Sequence, residues 1–448
     1  MRYYLKRYLS NFQTLSSRLL SRLPSPPTVL FQRAHVHDYD KNDLEWHSEN
    51  RFVMRGKVAC QQFGALWCRL RVLGASSFLT LQPSSEPPSL KLALATIVGL
   101  PIVLWVWKCA MMVLFQRKII YMGYIPPNAR TEELFRDVQP PKDISCEEVR
   151  IGGEKGITLY GILVQSMVAA TRSEDPTTVM VYFQGNAGNP LSRIPLFSHL
   201  IMGPGSRSIS KNISPLHNLS ILSVAPRSYW KSSSKTPTER GLISDYKHVI
   251  QYAHSRFPNS KIILYGHSLG GSVAICLAAT LKDREEFMFV KGLVVENPFE
   301  SIPGMVKALY TSKWVPYRYL GNMAWDKWDA TAETEKVAKE ELDSISQIGS
   351  KLQRNEEESE DVKTERTLLG RLLKDMMVIV CEKDEIVPWE MGQSIYAASE
   401  KARSTSESED GLGRNVVLKK ALHETGWSEA KWLVEMRKYI QDVENSTK

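Results

Sequence analysis

An α/β domain, with a mostly parallel sheet covered by helices on both faces, is predicted by three observations. From Cys146 onward, short runs rich in β-branched and apolar residues recur along the chain. Helical stretches fall between several of them, as they must where parallel strands are joined by crossovers. The stretch KIILYGHSLGGSVAICLAA, Lys261 to Ala279, reads as strand, sharp turn and helix. The predicted strands are GITLYGILVQ from Gly156, TVMVYFQ from Thr178, LSILSVAP from Leu219, KIILYGH from Lys261, VKGLVVEN from Val290, MMVIVCE from Met376 and NVVLKKA from Asn415. The helices between and after them are Thr238 to Ser255, the one following Ser272, Trp389 to Lys401 and Trp427 to Val443.

The 448 residues allow two or three domains, or one α/β domain with appendages. Net charge is +8, and the basic excess lies near the N-terminus and beside one apolar segment, which does not describe a nucleic-acid surface. Six cysteines show neither zinc nor disulfide spacing, and Cys276 and Cys381 fall inside apolar runs as small core residues do.

Residues 1–88 form a basic N-terminal segment without regular periodicity, with no acid before Asp38 and a linker-like end, LQPSSEPPS. It reads as a poorly ordered arm or, by composition, as a transit sequence. Residues 89–116 hold LALATIVGLPIVLWVWKCAMMVLF, with Lys108 its one charge, long enough to cross about 30 Å of hydrocarbon. A single transmembrane helix is expected, with a buried core helix or a surface hairpin as the competing reading. Arg117, Lys118 and Arg130 follow it closely, which favours a cytosolic C-terminal side. Three N-x-S/T sequons, at Asn212, Asn218 and Asn445, would suit a luminal domain instead. The expected address is single-pass in an endomembrane such as the endoplasmic reticulum rather than a mitochondrion. Residues 117–448 make the α/β domain, in which 344–367, with Glu356, Glu357, Glu358, Glu360 and Asp361, read as an acidic, mobile insertion.

Gly266-His267-Ser268-Leu269-Gly270 is G-x-S-x-G, a strand-to-helix turn that exposes Ser268 as a nucleophile while glycines leave room for the two backbones. A serine hydroxyl needs a base to take its proton, and that base needs an acid to orient it. In this architecture the partners follow in the order Ser, Asp or Glu, His. Of nine histidines only His423 lies beyond Ser268, after the strand NVVLKKA. Asp384 falls on the turn after MMVIVC, and its D-x-x-V-P spacing sets it ahead of the neighbouring Glu382 and Glu385. A tetrahedral oxyanion needs backbone N–H groups already in place. Leu269 supplies one, and the loop Gln184-Gly185-Asn186-Ala187-Gly188-Asn189 supplies the other, from Asn186 first and Ala187 second.

With these residues in place the chain resembles the α/β-hydrolase superfamily, and within it the membrane-anchored serine hydrolases of the bud-emergence (Bem) type, related to mammalian ABHD proteins. The resemblance spans about Ile119 to Ile440 and rests on YFQGNAGNP, GHSLGG, ENPFESIPGMV, KDEIVP and ALHETGW. It implies an α/β-hydrolase fold with Ser268 as nucleophile, Asp384 as acid and His423 as base. The family commonly has His-Gly-Asn-Ala-Gly where Gln184 begins the loop here, and its usual Y-R-G-Y-G-x-S turn is replaced by Ala225-Pro226-Arg227-Ser228-Tyr229-Trp230. Residues 309–330 carry Tyr310, Trp314, Tyr317, Tyr319, Trp325 and Trp328 where this fold often inserts a lid. The expected activity is cleavage of a carboxylic ester or thioester, of a lipid or acylated protein, through an acyl-serine intermediate. The expected partners are a lipid bilayer and an acyl substrate; no nucleic acid, metal or organic cofactor is implied. Amide or peptide cleavage by the same triad is the alternative within catalysis, and a silent interaction module the alternative outside it.

Overall fold

The computed structural model describes residues 89–154, 156–172, 175–204, 214–354, 366–403 and 411–446. The N-terminal segment 1–88, the acid run at 356–361 and the sequon at Asn212 lie outside the described residues. Residues 89–103 belong to one unit of the chain, and the residues from Leu104 onward to another that holds the whole sheet.

Helix α1 (Leu90–Leu114) is followed directly by the short α2 (Gln116–Ile120). Among the described residues no residue of α1 is buried, and most of its leucines, valines and tryptophans are exposed. By length and composition it is able to cross a membrane.

Beyond α2 the chain builds one eight-stranded sheet, in the order β1-β2-β4-β3-β5-β6-β7-β8. Its strands are β1 (Ile144–Gly152), β2 (Thr158–Ser166), β3 (Thr178–Phe183), β4 (Leu219–Ala225), β5 (Lys261–His267), β6 (Val290–Glu296), β7 (Met376–Cys381) and β8 (Arg414–Leu418). β2 runs antiparallel to both β1 and β4, and every other pairing is parallel. β3, β4 and β7 are buried along their full length, which explains why they read as mostly apolar runs, interrupted only by Thr178, Ser220 and Ser223.

The connections are α3 (Met167–Ala170), α4 (Ile194–Met202), α5 (Glu239–Arg256), α6 (Leu269–Thr280), α7 (Ile302–Leu309), α8 (Ala330–Arg354), α9 (Leu368–Leu372) and α10 (Trp389–Arg403), and α11 (Ala430–Asn445) closes the chain. α5, α8 and α9 pack around α6 on one face of the sheet with α10 against α8, while α4 and α11 meet on the other. This two-faced covering of a mostly parallel sheet is the predicted class.

Two elements depart from the sequence reading. β1 escaped it because ISCEEVRIG buries only four of its nine residues and carries charge on its outer face, as an antiparallel edge strand does. α8 runs to Arg354, so helix rather than loop occupies the first part of the segment read as a mobile insertion. Its early residues Val337 and Ala338 are buried against the core, so this helix grows out of packed structure.

Candidate active site

β5 ends at His267 and α6 begins at Leu269, so Ser268 alone makes the turn between them. Its backbone sits at φ 56° and ψ −122°, a left-handed conformation that costs a non-glycine residue about 1–3 kcal/mol. The Ser268 N–H donates to the Glu296 carbonyl at 2.8 Å, which ties the turn to the end of β6. Close backbone approach explains the glycines. A Cβ on Gly266 would lie 2.3 Å from the Gly270 carbonyl oxygen, and one on Gly270 would lie 2.1 Å from that of Phe183. Strand and helix meet here with no space for a side chain.

The candidate acid and base come from the ends of β7 and β8. Asp384 follows β7, and its Oδ1 accepts hydrogen bonds from the N–H groups of Ile386 at 2.8 Å and Val387 at 2.7 Å. Its Oδ2 lies 2.6 Å from Nδ1 of His423, which follows β8. Since the carboxylate only accepts, the His423 proton is on Nδ1 and the Nε2 lone pair is left for a substrate proton. The two acids that compete with Asp384 in the sequence go elsewhere: Glu385 accepts from the His423 backbone N–H at 3.0 Å, and Glu382 is exposed.

Two buried side chains hold the His423 carbonyl. His267 Nε2 lies 2.9 Å from it, and Asn297 Nδ2 donates to it at 3.0 Å. The base is thereby linked to the residue beside the nucleophile. Sequence reasoning missed Asn297, although it stands inside the ENPFESIPGMV run that carried the resemblance. Its signal is an asparagine directly after a strand, which tolerates the φ of 47° found there.

The loop after β3 abuts the elbow. Its Gln184 donates through Nε2 to the Ala187 carbonyl at 2.8 Å, while Tyr246 Oη accepts from the Gln184 backbone N–H at 2.8 Å. The Asn186 carbonyl is occupied by the Met122 N–H at 2.6 Å and the Tyr229 hydroxyl at 3.0 Å. Because a peptide's C=O and N–H point oppositely, that pairing also fixes the direction of the Ala187 N–H. Leu269, at the first position of α6, has an N–H with no acceptor within its own helix. The structure thus fixes the peptide between Asn186 and Ala187 in a loop whose Gln184 and Gly185 lie against the elbow.

Tyr229 comes from the turn that departs from Y-R-G-Y-G-x-S. Arg227, Tyr229 and Ser232 fall at the arginine, second tyrosine and serine of that pattern, so Ser228 and Trp230 stand where it has glycine. Both have positive φ, 70° and 38°. Side-chain contacts hold this turn without glycine: Arg227 pairs with buried Asp245 at 2.7 Å, and Trp230 Nε1 donates to the Glu132 carbonyl at 2.8 Å. Ser228→Gly is expected to stabilise the protein by about 0.5 kcal/mol, the relief of left-handed strain exceeding the added chain entropy. A higher urea midpoint at unchanged slope would register it.

The charges beside the triad are set by Arg193, whose guanidinium lies 2.6 Å from Glu424. The Glu424 side chain is about half exposed, and its partial desolvation is outweighed by the attraction of Arg193, which holds the carboxyl well below the usual range. Burial lowers His267, which is therefore neutral, and its Nδ1 has no partner. Among the described residues, His267, His423 and Glu424 are the one grouping with metal-ligand chemistry, their ligand atoms lying within 4.8 Å of one another. Arg193 already neutralises that carboxylate, and a cation would have to be seated beside the guanidinium.

Comparison with known proteins gives the following likenesses. The profile of the family described as "Serine aminopeptidase, S33" matches residues 232–412. Protein bem46 of Schizosaccharomyces pombe is 28% identical over 233 residues, covering 50% of this chain and 66% of its own. Lysophosphatidylserine lipase ABHD12 of Macaca fascicularis is 29% identical over 175 residues, 39% of this chain and 37% of its own. The chain therefore spans under two thirds of the length of either relative. Among solved structures, the Pyrococcus furiosus esterase Pf2001 aligns with a TM-score of 0.42 at 15% identity, covering 68% of this chain and 97% of that one.

Proposed function

The chain being an α/β-hydrolase of the Bem46/ABHD type, we propose that it is a membrane-anchored serine hydrolase that cleaves a carboxylic ester or thioester of a lipid or acylated protein. The observation that carries this reading is the 2.6 Å pairing of Asp384 with His423, whose carbonyl is tethered to the residue preceding Ser268. Relatives named as a lipase support the ester and lipid part of it. The mostly exposed, apolar α1 supports the anchor.

In this reading His423 Nε2 takes the proton of Ser268 Oγ as the oxygen attacks the acyl carbonyl carbon. The resulting oxyanion is held by the Leu269 N–H and by the N–H of Asn186 or Ala187. Collapse breaks the bond to the alcohol or thiol, which leaves with the proton from His423, and the acyl group stays on Ser268. Water then attacks the acyl carbon as His423 takes its proton, the bond to Ser268 Oγ breaks with that proton passing from His423 to Oγ, and the carboxylic acid is released. Asp384 stays ionised throughout, fixing the imidazole tautomer and stabilising the imidazolium.

A fluorophosphonate probe tests the nucleophile. Labelling of the full-length protein at Ser268, absent in Ser268→Ala, is expected; no labelling of folded wild type under conditions that label a control hydrolase would sink the enzyme reading. The aminopeptidase named by the family profile favours a second reading, amide cleavage by the same triad. Matched acyl esters and anilides separate the two, and faster turnover of anilides would replace the first reading by the second.

A further inference from the structure

The inserted segment after β6 is clamped to the chain that leaves α1. Gln116, two residues past the end of α1, accepts from the Trp325 N–H at 2.7 Å through Oε1 and donates to the Met323 carbonyl at 3.3 Å through Nε2. Arg117 binds the buried carboxylate of Asp326 at 2.9 Å, and its guanidinium lies 5.1 Å from the Trp325 ring. Further along, Trp328 Nε1 donates to Tyr121 Oη at 2.9 Å, both residues being buried. These contacts make residues 323–328 and the start of the catalytic domain one rigid piece.

A second contact places the segment higher. The ammonium of Lys108 lies 4.4 Å from the centre of the Tyr317 ring. Lys108 is six residues before the end of α1, about 9 Å along a helix axis. Tyr317 therefore stands beside the last turns of α1, at a level that in a spanning helix belongs to the boundary between headgroups and acyl chains.

What the segment exposes suits that level. Trp314 is 91% exposed, and Tyr319, Met323 and Trp325 are each more than half exposed. These are large side chains left mostly open, and two of the four are tryptophan, the residue that concentrates at membrane interfaces. Lys307 and Lys313 are exposed on the same segment, with Lys118 on α2, whereas no Asp or Glu occurs between Ile302 and Trp325. A basic, aromatic stretch without acids matches the chemistry of an anionic lipid surface.

We infer that residues 310–325 dock into the headgroup region of an anionic leaflet, the one from which α1 emerges on the catalytic side, with Trp314 as the deepest anchor. This inference rests on the reading of α1 as a membrane span. The chain reaches this segment from the end of β6, whose Glu296 carbonyl receives the Ser268 N–H, so the docking stretch and the elbow are joined to the same strand end.

Full-length protein reconstituted into phosphatidylcholine vesicles, with and without phosphatidylserine, tests this. An environment-sensitive fluorescent amino acid is placed at position 314, at Ile97 within α1, or at exposed Val434 on α11. Brominated lipids are expected to quench most of the emission at 314, more so with phosphatidylserine present, and to quench position 97 equally in both vesicles. Position 434 is expected to stay water-like. Lys307→Glu with Lys313→Glu is expected to remove the phosphatidylserine dependence at 314 and leave 97 quenched. Quenching at 97 without quenching at 314 overturns the docking alone. Water-like emission at both overturns the membrane span together with it.

Discussion

Replacing Asp384 with asparagine is expected to lower kcat on an acyl ester about 10^4-fold, with KM little changed, a loss of roughly 5 kcal/mol of transition-state stabilisation. The size follows from how the carboxylate is bound. Oδ1 accepts from two backbone N–H groups, Ile386 and Val387, so in the amide the carbonyl oxygen must take that place. The NH2 group then faces His423 Nδ1. A donor there forces Nδ1 to accept, moves the imidazole proton to Nε2, and leaves Ser268 facing an N–H that takes no proton. Geometry and substrate binding survive while the base is lost, which is why kcat falls and KM does not. Steady-state kinetics with a chromogenic ester, beside a thermal melt to show that the variant is folded, measure it. An unchanged kcat would remove Asp384 from the acid's role and bring Glu385, which binds the His423 backbone, into question.

The pairing of Asp384 with His423 was legible in the sequence for a topological reason. In a parallel sheet covered on both faces, residues just past the strand ends gather at one edge, so order along the chain stands in for position in space. Ser268, Asp384 and His423 follow β5, β7 and β8, and a motif with two residues in the right order was enough to find the pair joined at 2.6 Å. What stayed hidden depends on pairs of side chains that no periodicity marks. Arg193 and Glu424, more than two hundred residues apart, form the ion pair beside the base, and Gln116 closes on Met323 and Trp325 across a similar distance. The positive φ of Ser228 and Trp230 was hidden too, because glycine is the usual sign of such a backbone and neither residue is glycine. The apolar α1 was plain from composition alone, whereas β1 was not, since an edge strand with charges on its outer face has the pattern of a loop.

Asn297 is the residue whose loss should tell most about how the triad is held, and Asn297→Ala is expected to cost about 2–4 kcal/mol of stability and up to about 100-fold in kcat. It is 3% exposed and binds in two directions. Its Oδ1 accepts from the Cys381 N–H at 2.9 Å, three residues before Asp384, and its Nδ2 donates to the His423 carbonyl at 3.0 Å. One planar amide thus sets the separation of the acid's strand end from the base's loop. Alanine leaves the Cys381 N–H buried without a partner, leaves the His423 carbonyl to His267 alone, and keeps a left-handed φ that alanine resists. Asn297→Gly removes the same hydrogen bonds without that backbone strain. Stability should therefore recover in part from alanine to glycine, whereas kcat, measured well below both melting temperatures, should stay low in each with KM unchanged. A purely structural role predicts the opposite: kcat would return to the wild-type value wherever the variant is fully folded, and the asparagine would then hold the sheet edge without positioning His423.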